Sequence, residues 1–436
     1  MKRVLVVAYH FPPGGGPGVQ RVLKHVTYLR DFGWQPIVLT VEDGDFPARD
    51  ESLLEKIPSD VTVIRVPILE PYDIYRRFMG RKGAAVDVNV NKTAAQRTGW
   101  KEKLAEFIRA TFFIPDARIG WLMKATDVGR RTIDEMRIDA IYTSSPPYTC
   151  ALIGRSLKRK TGLPWVAGFR DPWTGFLTTP DRWFLPAMID KALERSVFLE
   201  SDAVECAWQG IIDDAHAKVP DAPLSKFHHV PNGFDPADFP NVTYHRNERF
   251  TITYTGSMYG RRTPKALLEA LELLQRRGEL QPEHVVLRCV GRFGAEVQEM
   301  LENTSFASSI ETIDYVPHSE SIGYLMRSEM SLLIVDDAKE SAEIVPGKVY
   351  EYLGVGRPIL ALSPAGSAIE QLIRETQAGF SRPQSDVEGL AGDLLASYRR
   401  WQAGEEIAHV DADAVRKYER RESARQLARI LDTLTQ

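Results

Sequence analysis

Two glutamates stand eight positions apart in the stretch SAEIVPGKVYEYLGVGRPILAL, at Glu343 and Glu351. Pro346, Gly347 and Lys348 lie between them. Proline suits the first turn of a helix, because the N–H it lacks has no partner there anyway. The stretch therefore predicts a short helix running from Pro346 to about Leu353 and stopped by Gly354. Lys348 and Glu351 are three apart and share a face of that helix. Glu343 falls in the loop before it, beside the positive end of the helix. Two carboxylates so placed can each accept hydrogen bonds from vicinal hydroxyls, the feature shared by sugars and riboses.

A second cluster supplies positive charge. In YTGSMYGRRTPKALLEAL, Gly256 and Ser257 end an apolar run, and Arg261, Arg262 and Lys265 stand before a helical pattern. Guanidinium forks, an ammonium and helix N–H groups together suit a diphosphate. Arg292, in VGRFG, ends the next run and joins this set. The plainer alternative is a basic surface patch.

The first half carries its own candidates. YHFPPGGGPGVQRVLKH places Gly14, Gly15, Gly16 and Gly18 ahead of a helix, where small residues let backbone N–H groups approach a phosphate or a sugar. It is neither a P-loop, since no Gly-Lys-Ser/Thr follows, nor a dinucleotide fingerprint, since Arg21 stands where the third glycine belongs. FRDPWTG ends another run with Arg170 and Asp171, either pointing into a binding crevice or paired as an internal salt bridge. Ser144 and Ser145 in SSPPYT read as a helix N-cap.

These candidates follow short β-branched and aliphatic runs that alternate with helical patterns, the signature of parallel sheets covered on both faces. Seven such runs precede the polar stretch around VPNGFDPADFP and five follow it, which predicts two doubly wound domains. The boundaries fall at 1–240 and 241–414, with a closing helix over 415–436. The interval from Pro71 to Lys124 shows no clear strand. Its basic residues and aromatics interleave, as in a helical insertion with a solvated basic side or in a surface that lies on anionic lipid.

With 436 residues, 43% hydrophobic and a net charge of −4, the composition is that of an ordinary globular chain with no global basic excess for nucleic acid. Three scattered cysteines form neither a metal spacing nor a disulfide framework and point to a reducing compartment. The short apolar run at the start reads as a first strand rather than a signal peptide.

The Glu-x7-Glu pair, the VPNGFDPADF linker and the glycine-rich first loop and helix together resemble the retaining glycosyltransferases of family 4. The resemblance spans nearly the whole chain except about 70–125. It implies α/β architecture of the GT-B type: two Rossmann-like domains facing a central cleft, the first binding acceptor, the second binding a nucleotide-sugar donor, with the C-terminal helix returning to the first. It implies that Glu343 contacts the transferred sugar and Glu351 the ribose. Arg261 or Arg262 and Lys265 would neutralise the diphosphate, with Lys348 a further candidate for the same charge.

Two departures stand out: IVPGK replaces the usual sequence after the first Glu, and Arg170-Asp171 replaces an acceptor-side His-Asp. The expected reaction is transfer of a hexose-type residue to an acceptor hydroxyl with retention, in polysaccharide, glycolipid or glycoconjugate synthesis. No cofactor and no metal are expected, since Asp336 and Asp337 read as a loop and no Asp-x-Asp stands beside the site. The expected place is cytoplasmic, soluble or peripheral at the inner membrane face, with a lipid-linked saccharide as one acceptor class and no nucleic acid. Rival readings are a GT-B nucleotide-sugar epimerase, a degenerate partner subunit and a nicotinamide oxidoreductase.

Overall fold

A computed structural model describes the chain apart from residues 47, 69–106, 109, 177–178, 337–341 and 344. Most of the expected insert, 71–124, thus lies outside the described residues. The described remainder of that interval is helical around 110–112 and again from Ile119, and there Trp121 is fully buried.

The chain divides into two compact units, Met1–Asn232 with Arg420–Gln436, and Gly233–Glu419. The first boundary falls ahead of the expected Pro240. Arg21 accounts for this placement: its guanidinium donates to the carbonyls of Val230 and Pro231 at 2.7 and 3.1 Å and to Asn232 Oδ1 at 3.0 Å, fastening the chain to the first unit up to that residue.

In the first unit the strands are β1 (Lys2–Ala8), β2 (Trp34–Val41), β3 (Thr62–Val66), β4 (Ala140–Ser145), β5 (Trp165–Phe169), β6 (Ala203–Cys206) and β7 (Phe227–His229). They form one parallel sheet in the order β3-β2-β1-β4-β5-β6-β7. Val4, Leu5, Val6 and Val7 of β1 are all fully buried, because side chains alternate between two covered faces. Leu5 and Val7 join one core cluster, Val4 and Val6 the other. The helices are α1 (Pro17–Tyr28), α2 (Leu122–Met136), α3 (Thr149–Thr161), α4 (Phe184–Glu200) and α5 (Gln209–Lys218).

The start of α3 differs from the expected Ser144/Ser145 cap. Asp116 caps it instead, accepting from Thr149 N at 2.9 Å and Thr149 Oγ1 at 2.7 Å, while Ser145 Oγ is buried without a partner. Pro146 and Pro147 separate the serines from the helix start, so their hydroxyls sit too far upstream of its first N–H groups.

The second unit holds β8 (Phe250–Thr255), β9 (Val285–Val290), β10 (Ile310–Ile313), β11 (Met330–Ile334), β12 (Ile359–Leu362) and β13 (Gly379–Arg382). Their order is β10-β9-β8-β11-β12-β13, again parallel. Its helices are α6 (Lys265–Arg276), α7 (Ala295–Glu302), α8 (His318–Met326), α9 (Gly347–Val355), α10 (Ala368–Thr376), α11 (Val387–Gln402) and α12 (Ala412–Arg416). The last helix, α13 (Arg420–Leu434), belongs to the first unit, where Leu427, Ala428 and Leu431 pack into the cluster that holds Val4 and Val6.

The helix expected to stop at Gly354 runs on to Val355 and is ended by Gly356, whose φ of 70° is the left-handed stop. Gly354 has a different task. A Cβ there would lie 2.4 Å from the Phe234 ring, so glycine lets that ring pack on the helix.

Candidate active site

In a doubly wound sheet the strand order reverses at one point, and ligands bind beyond the carboxyl ends of the strands there. In the second unit that point lies between β8 and β11. Three chain segments meet near it. Gly256 and Ser257 follow β8, Gly291 and Arg292 follow β9, and the N-terminus of α9 comes in after β11.

The first two segments are locked together. Gly256 N donates to Val290 O at 2.8 Å and Met258 N to Arg292 O at 3.0 Å. Gly291 has a φ of 141°, and a Cβ on it would lie 2.1 Å from the Gly256 carbonyl oxygen, so only glycine fits this approach.

Lys348, in the first turn of α9, is half-buried, with its Nζ 4.1 Å from the centre of the Tyr254 ring. The ammonium lies 3.9 Å from where a Cβ on Gly256 would be, at the carboxyl end of β8. Burial, then the Arg262 guanidinium, lowers its pKa to about 7, against a smaller upward pull from Glu351. Tyr254, at the end of β8, is raised above the ordinary tyrosine range, chiefly by burial. Buried Tyr352 on α9 holds Thr255, accepting from its N–H at 3.2 Å. The wall beneath Lys348 is therefore aromatic and apolar, and Lys348 and Arg262 share one neighbourhood.

Two of the other expected cations, Arg261 and Lys265, face acids. Arg261 faces Asp336 at 3.9 Å, which puts Asp336 at the same strand end. Lys265 is 65% exposed and faces Glu269 of its own helix at 3.8 Å. Arg262 stacks over Tyr259 with its Cζ 5.3 Å from the ring centre, and Arg292 over Tyr315 at 5.0 Å. Gly347 opens α9. Among the described residues no group of three or more His, Cys, Asp or Glu is placed to hold a metal.

The two glutamates are not equivalent. Glu351 lies on α9, with Oε1 2.9 Å from His318 Nε2 at the start of α8. Glu343 is exposed, in a short turn before α9. Sequence reading missed His318, which stands 33 residues before Glu351 with no local motif to mark it.

In the first unit the reversal lies between β1 and β4. Arg170 follows β5 there, donates to Pro146 O at 2.5 Å and lies against Gly18, where an added Cβ would be 2.0 Å from its Nη1. Gly18 thus makes room for the guanidinium. Asp171 has its carboxyl pKa raised by burial, an effect the Arg170 charge opposes.

Gly14 N donates to Phe11 O at 3.0 Å within the loop, and Gly15 N to Ala48 O at 2.9 Å in the segment after β2, so both amides are engaged by backbone carbonyls. Gly16 caps α1 with a φ of 98°. Arg21, in the place of a third fingerprint glycine, is buried and bonded to Glu205, which also accepts from Tyr142 Oη at 3.0 Å. That makes Arg21 a structural residue.

His10, just past β1, was not singled out in the sequence. Burial, then the charges of Arg170 and Arg118, lowers its pKa to about 3, so it is a neutral imidazole at ordinary pH.

No family model matches the chain, and no curated protein matches it in sequence. Solved structures do. Sucrose-phosphate synthase from Thermosynechococcus elongatus has 12% identity and a TM-score of 0.62, with 100% of this chain and 99% of that one covered. The apo form of the lipopolysaccharide outer core galactosyltransferase WaaB has 11% identity and a TM-score of 0.59, covering 99% of each chain. A putative UDP-N-acetylglucosamine 2-epimerase from Listeria monocytogenes has 12% identity and a TM-score of 0.52, covering 98% of this chain and 94% of that one. At such identity the likeness speaks for the fold: two Rossmann-like units of the GT-B type.

Proposed function

We propose that the protein is a retaining glycosyltransferase that moves a sugar from a nucleotide diphosphate sugar to an acceptor hydroxyl. The observation that carries this reading is the strand-end cluster of the second unit. Lys348 and Arg262 lie beside the glycine-walled end of β8, and Glu351 is one turn along α9 from Lys348. A leaving diphosphate gathers negative charge as the glycosidic bond breaks, and fixed cations beside helix N–H groups stabilise that charge most where water is scarce.

In this reading the cations do what a metal does elsewhere. Lys348 and Arg262 meet the diphosphate, Glu351 accepts from the ribose hydroxyls, and Glu343 accepts from the sugar. The departing phosphate takes the acceptor proton on the face it leaves, so no protein nucleophile is needed. Arg170, Asp171 and His10 mark the acceptor side in the first unit, for which a saccharide, lipid-linked or free, is the proposed class.

The names of two fold neighbours, a galactosyltransferase and sucrose-phosphate synthase, agree with a transferase, and that of a third keeps an epimerase as the rival. The test is incubation with UDP-, GDP- and dTDP-sugars, followed by product analysis. Slow release of nucleoside diphosphate and free sugar supports the transferase. An isomerised nucleotide sugar formed without acceptor supports the epimerase, and no binding of any of them refutes both.

A further inference from the structure

Helix α4 of the first unit turns Asp190 and Glu194 inward and holds its last acid, Glu200, in an ion pair. Asp190 accepts from Trp173 Nε1 at 2.8 Å and pairs with Arg182 at 2.8 Å. Glu194 accepts from Thr174 N at 3.1 Å and pairs with Lys218 at 2.8 Å. Glu200 takes both bonds of an Arg159 fork, at 2.7 and 2.6 Å. The outward face carries the opposite character. Phe184 is 78% exposed, Met188 52%, Leu185 45% and Ile189 42%. At helical spacing the stripe of Phe184 and Met188 continues into Lys191 and Arg195, both exposed.

Neighbouring chain enlarges the patch. Trp183, 46% exposed, is held by a bond from its Nε1 to Thr111 Oγ1 at 3.0 Å. Arg182 fixes the same segment through the carbonyls of Ala110, Phe113 and Pro115 at 2.6, 3.0 and 2.7 Å, and within it Phe112 is 70% exposed. So many large apolar side chains in one exposed area are unusual for a surface that meets only water.

We infer that this face of α4, with Trp183 and Phe112, rests on an anionic lipid surface. The charge pattern selects the occupant. A helix that lies in a membrane interface buries its apolar face by roughly 5–10 Å and sets basic side chains against the headgroups. Lys191 and Arg195 stand at the polar end of the stripe, and the exposed acid Asp181 precedes the helix rather than lying on this face. Among the described residues no helix is long and apolar enough to cross a membrane.

The inference stands apart from the transferase reading, since it concerns adsorption and not turnover. It is tested by flotation of the full chain with vesicles of phosphatidylcholine alone and of phosphatidylcholine with phosphatidylglycerol. The expected result is recovery with the anionic vesicles at low salt. Lys191→Glu should weaken it by about fivefold or more, as one basic residue near such a surface contributes about that factor. Phe184→Ser with Met188→Ser should abolish it, while Leu224→Ser, at a position 60% exposed elsewhere, leaves it unchanged. Matching thermal midpoints show that the variants fold.

Equal recovery of all variants overturns the inference, as does no recovery of the wild type. Concentration-dependent dimerisation lost in the Phe184/Met188 variant also overturns it, by assigning the patch to a second copy.

Discussion

If Lys348 meets the donor diphosphate, binding must move a proton. Its pKa in the free protein is about 7, lowered by burial and by Arg262. A diphosphate beside it favours the ammonium and raises that value, so the complex holds more protons than its parts. The sign follows: donor affinity is full below the free-state pKa and falls as pH rises through it, by tenfold per unit while the bound lysine stays charged. Between about pH 6 and about pH 9 the loss is about 90-fold, or about 2.7 kcal/mol.

The assay is calorimetric titration with whichever nucleotide sugar binds, because its diester diphosphate does not itself titrate in this range. Repeating it in two buffers of different ionisation enthalpy counts the proton taken up. Lys348→Arg keeps the charge at every pH and should flatten the profile. Lys348→Met should also flatten it, at an affinity lowered by about 1.5–3 kcal/mol. The folded protein gives a second reading. A lysine depressed in the native state binds fewer protons there than in the unfolded chain, so Lys348→Met should raise the thermal midpoint at neutral pH while weakening the donor. A wild-type affinity independent of pH, or a slope that persists in Lys348→Arg, refutes the argument and moves the titrating group elsewhere, with His318 beside Glu351 the next to examine.

Glu351→Ala should lower the affinity for donor and free nucleoside diphosphate alike, by about 1.5–3 kcal/mol, whereas Glu343→Ala should cut turnover and leave nucleotide binding nearly intact; the reverse outcome, read by titration beside initial rates, inverts the proposed donor orientation. Turnover should survive EDTA, and loss restored by Mg²⁺ or Mn²⁺ would contradict the assignment of the charge to Lys348 and Arg262. Gly18→Ala forces the Arg170 guanidinium from its place, since the new Cβ would lie 2.0 Å from Nη1; it should lower kcat/KM for the acceptor with unchanged nucleotide affinity. Gly354→Ala drives a Cβ to 2.4 Å from the Phe234 ring and should destabilise the second unit by about 1–3 kcal/mol, measured by denaturant unfolding.

The twelve strands expected from apolar runs correspond to β1 through β12, and in the central ones such as β1, β2 and β11 cover on both faces leaves a continuous β-branched and aliphatic signal. The missed strand is β13, Gly379–Arg382: it lies at the sheet edge, only partly buried, and its GFSR carries no such run. What the sequence could not show is pairing at a distance. His318 meets Glu351 across 33 residues, and Arg21 meets Glu205 across 184, with nothing local to join either pair.

The basic loop after β8 illustrates the same limit from the other side. Arg261, Arg262 and Lys265 look alike in a row of letters, yet Arg261 faces Asp336, Arg262 lies near Lys348, and Lys265 is drawn to Glu269 on the outside of its helix. Charge type is legible in the chain, but charge direction depends on how each backbone turn aims its Cβ. Lys348 enters from the sequence only as a further candidate for the same charge. In the fold, its place in the first turn of α9, over the Tyr254 ring and against a glycine-walled strand end, makes it the one whose protonation a bound anion would change most.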